Sequence, residues 1–102
     1  MKESSIPENA LTEECLRNFK NGSNLAYLSV VAHFSEPLRR FVVQFTPDEN
    51  AASGIVQDCL NKLWLRHPVI NGARDIETFL YTAARQRCFA HLELRKRQGG
   101  QS

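Results

Sequence analysis

Apolar residues recur along the chain at three- and four-residue spacing, and β-type alternation is absent, so the pattern predicts helices and no strands. A short first helix is predicted over Leu11–Lys20, with Glu13 and Glu14 beside the positive end of its dipole. Asn21-Gly22-Ser23 ends it, Gly22 being suited to a C-terminal cap. A second helix is predicted over Asn24–Phe34, with Leu25, Leu28 and Ala32 on its apolar face. Ser35-Glu36-Pro37 should bend or break the chain, because proline cannot donate to the preceding turn. The continuation from Pro37 to Phe45 places Leu38, Phe41, Val42 and Phe45 on one face.

Thr46-Pro47-Asp48-Glu49 reads as a capping box, with Thr46 as the cap, Pro47 at the first helical position and Glu49 three residues on. The helix it opens should reach Arg66, with Ala52, Val56, Cys59 or Leu60, and Leu63 facing inward. Gly54 inside it costs about 1 kcal/mol relative to alanine. His67 to Ala73 carries strong breakers and reads as a loop. A last helix is predicted over Arg74–Arg97, its buried side marked by Ile76, Phe79 or Leu80, Ala83, Arg87 or Cys88, and Leu92. The expected fold is all-α: three main helices plus a short N-terminal one. Residues 1–10 read as a flexible lead-in, 11–97 as the helical domain, and 98–102 as a tail or the start of a linker.

The 102-residue length fits one small domain and excludes a TIM barrel, a full dinucleotide-binding fold or a two-domain enzyme. Hydrophobic residues at 42% and charged residues at 24% are those of a globular chain, not a disordered one. No run approaches the roughly 18 apolar residues of a spanning helix, and the first residues lack the apolar core of a signal peptide. A cytoplasmic protein without membrane insertion is the expectation. The cysteines Cys15, Cys59 and Cys88 are odd in number and widely spaced, which suits reduced, small hydrophobes.

The net charge of +2 hides an asymmetry, since residues 1–50 carry −2 and residues 51–102 carry +4. Arg85, Arg87, Arg95, Lys96 and Arg97 crowd the end of the last helix against Glu93 alone. Two faces with different partners are implied.

Catalytic patterns are missing: there is no nucleophile elbow, no phosphate-binding glycine loop and no HExxH. No enzyme activity and no cofactor are expected. Cys88 and His91 make at most half of a tetrahedral metal site. Gln57, Asp58, Asn61 and Lys62 form a polar strip that suits a solvated face or an interface. Trp64 at its margin suits core packing or an interface anchor. Aromatic and basic residues mix along the last helix, a pattern shared by a core helix with a basic outer face and by a single-strand-binding surface.

The segment Ile55-Val56-Gln57-Asp58-Cys59-Leu60-Asn61-Lys62-Leu63-Trp64 resembles the V-Q-D … K-L-W signature of region 2 in bacterial sigma-70-type RNA polymerase sigma factors, of the extracytoplasmic-function (ECF) group. Lys20-Asn21-Gly22-Ser23 resembles the family's K-x-G-D/S entry. Phe41 to Thr46 resembles the end of its Y-x-x-A-x-R-L-x-x-D helix, and Phe79-Leu80-Tyr81-Thr82-Ala83-Ala84-Arg85-Gln86 resembles its aromatic-L-Y-x-x-A-R-N run. The motifs keep their order over about residues 11–97.

The resemblance implies a promoter-recognition and DNA-melting domain that binds core RNA polymerase and the minus-ten element in transcription initiation. Gln57, Asp58, Asn61 and Trp64 would meet the clamp helices of the polymerase largest subunit. Arg66, Asn71, Arg74, Phe79, Tyr81, Arg85, Arg95 and Lys96 would meet promoter DNA, chiefly the non-template strand, with a flipped base held by the Arg66–Arg74 loop. An anti-sigma factor covering the polar strip is a further partner of this kind. The chain departs from the pattern at Gly54 (usually acidic), Gln86 (usually Asn), Ala90 (usually Asp) and Glu93 (usually Arg). Gly54, Ala90 and Glu93 suit an alternative, a sigma-like interaction module that binds polymerase or a regulator without melting DNA. The length leaves no room for the second helical domain of complete sigma factors, so the chain is expected to be half of a two-domain factor or a reduced relative.

Overall fold

Thr12 sets the first helix: its Oγ1 accepts from the Cys15 amide at 3.0 Å, and α1 runs Glu13–Lys20. The chain then turns sharply through Gly22, whose φ of +93° suits glycine alone. The Ser23 amide donates back to the Asn18 carbonyl at 2.9 Å, and its Oγ in turn caps the next helix by accepting from Ala26 N at 3.2 Å. These contacts belong to a computed structural model, which describes residues 11–99.

Helix α2 runs unbroken over Asn24–Val43 with Pro37 inside it. Of the expected bend or break, the break does not occur. An interior proline costs about 3 kcal/mol, but Ala26, Val30, Phe34, Leu38 and Val42 recur every four residues on both sides of it, and all are buried. That continuous stripe opposes a break. It also corrects the expected face of the first half: Leu25 and Leu28 are 78% and 60% exposed, and Ala32 is exposed too. The second half faces inward as expected, with Leu38 and Val42 buried and Phe41 and Phe45 half-buried.

The expected capping box is also corrected. The Thr46 amide continues the previous turn by donating to the Val42 carbonyl at 2.9 Å, and its side chain is fully buried beside Cys88. Held in the core, Thr46 does not cap. Asp48 does, its Oδ1 accepting from Asn50 N at 2.9 Å, and a carboxylate there also suits the helix dipole. Helix α3 follows over Glu49–Leu65. It buries Ala52, Ile55, Val56, Cys59, Leu60 and Leu63, so Cys59 and Leu60 both face inward.

The next link contains one 3-10 turn, His67–Val69, and α4 runs Ala73–Gly99. Ile76, Leu80, Ala84 and Cys88 line its fully buried side, which selects Leu80 over Phe79 and Cys88 over Arg87. Ala83 is half-buried and Leu92 exposed. The helix passes beyond Arg97 to Gly99, while residues 1–10 and 100–102 lie outside the described residues. Helices α2, α3 and α4 pack pairwise into one bundle, and α1 covers α2 and the 3-10 turn. At 27 residues α4 is about 40 Å long. Past Cys88 its described side chains are mostly exposed, including Phe89, Ala90, Glu93, Leu94 and Lys96.

Candidate functional site

The inward faces of the helices decide where the candidate side chains go. Because α4 buries Ile76, Leu80 and Ala84, it turns Phe79 and Ala83 toward the end of α3 and Tyr81 toward α2. Phe79 is half-buried, and the Arg66 guanidinium lies 5.9 Å from its ring centre, a cation–π distance. Two adjoining hollows of about 490 and 510 Å³ share Phe79, Ala83 and Gln86 as their common wall. Lys62, Leu65, Arg66 and Arg87 line one, and Val69, Ile70, Arg74, Asp75, Thr78 and Thr82 line the other. Each lies within the usual range of small-ligand sites. The result is a groove with an apolar floor and a cationic rim. Leu65 and Val69 stand 77% and 64% exposed beside it.

This groove gathers Arg66, Arg74 and Phe79 from the predicted DNA-facing set. The others lie elsewhere. Tyr81 packs edge-on against Phe41 with ring centres 5.1 Å apart, on the α2 side. Burial and then the nearby Glu77 carboxylate push its phenol above the ordinary value, against the pull of Arg40. Asn71 faces α1: its Oδ1 accepts from Lys20 Nζ, and its amide donates to Asp75 Oδ2 at 2.9 Å. Arg85 and Lys96 are exposed on α4 outside both hollows, and the Arg95 side chain lies outside the described residues.

The predicted polymerase-facing set divides as well. Gln57 and Asn61 are exposed one turn apart on α3, with Gln57 Nε2 donating to Asn61 Oδ1 at 3.2 Å. Trp64 turns inward. Its ring centre lies 4.8 Å from Tyr27, 5.8 Å from Phe19 and 4.7 Å from His67. Tyr27 ties the same cluster to α3 by donating from its hydroxyl to the Leu60 carbonyl at 3.2 Å. His67 Nδ1 sits 3.0 Å from the Lys20 carbonyl. Trp64 therefore joins α1, α2 and α3 and the 3-10 turn. Asp58 faces α4, where its Oδ2 lies 3.1 Å from Arg87 Nε and 3.2 Å from Lys62 Nζ.

Sequence reading missed Leu65, Val69 and Arg87 as groove residues. The signal was present for Arg87, which follows Phe79 and Ala83 at successive four-residue steps and so shares their side of α4. The buried cysteines are poor nucleophiles: burial, then the Asp58 charge, pushes the Cys59 thiol up to about 11, and burial raises Cys88. Among the described residues, no group of three or more His, Cys, Asp or Glu is placed to hold a metal ion. No helix there is long and apolar enough to cross a membrane.

No known protein family, curated protein or solved structure matches this chain.

Proposed function

We propose that this chain is a promoter-recognition and DNA-melting domain of the ECF sigma type, which holds an unpaired non-template strand in the α3–α4 groove. The observation that carries this reading is one groove combining the Phe79 ring, under Arg66, with Lys62, Arg74 and Arg87 on its rim. Aromatic rings accept any base face, and each stacked base contributes about 1–3 kcal/mol. That is the scale of the few kcal/mol needed to pull a base from duplex DNA. The cations add counterion release, which makes binding weaken with salt.

The motif resemblance around Gln57-Asp58 supplies the rest of the reading. The exposed Gln57 and Asn61 amides are the groups on α3 that meet the clamp helices of the polymerase largest subunit or an anti-sigma factor. The domain acts by binding, with no chemical step.

The test is fluorescence anisotropy with a labelled single-stranded minus-ten oligonucleotide against a scrambled strand, at several salt concentrations. The expected result is tighter binding of the minus-ten strand and an affinity that falls with salt. Equal binding of both strands rejects promoter recognition. The exposed Glu93 on α4 favours the interaction-module alternative, for which core polymerase is retained but neither strand binds.

A further inference from the structure

Arg87 is half-buried, and its Nε lies 3.1 Å from Asp58 Oδ2 across the α3–α4 seam. The pair is ionic and not an aligned hydrogen bond, since Nε is buried and no acceptor meets its N–H. Asp58 also draws Lys62 Nζ to 3.2 Å, and Lys62 and Arg87 stand together in the wall of the groove with Arg66. A guanidinium has five N–H donors, of which Nε carries one. The terminal nitrogens form the fork that takes a phosphate bidentately.

We infer that Asp58 is a positioning residue: it holds Arg87 by its Nε edge, and Lys62 beside it, so that both meet the phosphates of a strand lying on Phe79. This inference rests on the strand-binding reading and gives Asp58 a role other than direct contact with polymerase. An untethered arginine or lysine carries rotamer entropy that binding must otherwise overcome. Asp58 removes part of that cost before the strand arrives. The carboxylate is negative and stands near an anion site, yet it favours the anion through the two cations it holds. Deleting its charge weakens anion binding.

The full chain is titrated with a fluorescein-labelled single-stranded oligodeoxynucleotide at three salt concentrations. Arg87→Gln is expected to bind about tenfold more weakly, the scale of one charge-assisted contact. Its log–log salt slope should fall by about 0.7, the value for one phosphate on a single strand. Asp58→Asn is expected to lose affinity several-fold with the same drop in slope, and Asp58→Glu to recover most of both. Arg87→Lys keeps the charge and is also expected to weaken binding. It serves as the deciding variant if circular dichroism shows Asp58→Asn unfolded. Tighter binding by Asp58→Asn, or unchanged affinity and slope in Arg87→Gln or in Arg87→Lys, overturns the inference and leaves the strand-binding reading standing. Absence of binding by the unmodified chain overturns that reading itself.

Discussion

Trp64 and Tyr27 lie with ring centres 4.8 Å apart, one on α3 and the other on α2, and Phe19 of α1 closes on both. The tryptophan at the edge of the polar strip is thereby a structural clasp. Trp64→Ala is expected to destabilise the fold by about 3 kcal/mol, the low end for a truncated aromatic, because the ring is half-buried. Trp64→Phe keeps most of that. Urea unfolding followed by circular dichroism measures both. A Trp64→Ala midpoint equal to the unmodified chain's would rule out the clasp.

Phe79 and Tyr81, two residues apart and both half-buried, should differ in strand affinity, since Phe79 alone lines the groove. Phe79→Ala is expected to lower single-strand affinity by about 1–3 kcal/mol and, because the half-buried ring also packs against the core, to lower the melting temperature as well. Tyr81→Ala removes the contact with Phe41 and is expected to lower the melting temperature while leaving strand affinity nearly unchanged. Parallel anisotropy and thermal scans on the two variants check this.

Two glycines give opposite signs. At Gly54 an added Cβ meets nothing within 4 Å, and the residue is exposed inside α3. Gly54→Ala is therefore expected to stabilise by about 0.5–1 kcal/mol through helix propensity and reduced freedom of the unfolded chain. At Gly22 the backbone φ of +93° strains any L side chain, and the new Cβ would lie 3.4 Å from the His67 ring. Gly22→Ala is expected to destabilise by about 1–2 kcal/mol. Shifts of the urea midpoint at constant slope report both.

The Cys59 thiol, pushed up to about 11 by burial, gives a pH signature. Its folded value lies above the unfolded one, so the folded chain keeps a proton that the unfolded chain gives up. That stabilisation is complete below the unfolded value near 9 and is lost as pH rises toward 11. The urea midpoint is expected to fall between pH 8.5 and 10.5, and to fall less in Cys59→Ala. A Cys59→Ala curve parallel to the unmodified one would exclude the thiol as the cause.

Local chemistry makes most of the helix boundaries legible in the amino-acid sequence. Thr12, Ser23 and the Gly22 stop act within one turn, so their effect depends little on the rest of the fold. Thr46 misleads for the opposite reason: its place is decided by the core near Cys88, forty-two residues along the chain. The face of α2 is ambiguous because Leu25-Leu28-Ala32 and Ala26-Val30-Phe34 both fit a helical period. The second persists through Leu38 and Val42, and only a stripe of that length fills the bundle. For the site, the Arg66–Phe79 pairing and the Asp58–Arg87 ion pair depend on how α3 and α4 align, and spacing within one helix does not encode that.

The links between successive helices are three, five and seven residues long. Closing such short loops takes little entropy, and most neighbours in the bundle are neighbours in the chain. Topology of this kind belongs to the fast-folding class, with times of microseconds to milliseconds. Synthesis adds only about 5–20 residues per second. The α1–α2 hairpin therefore has time to pair on the ribosome long before α4 emerges to complete the groove.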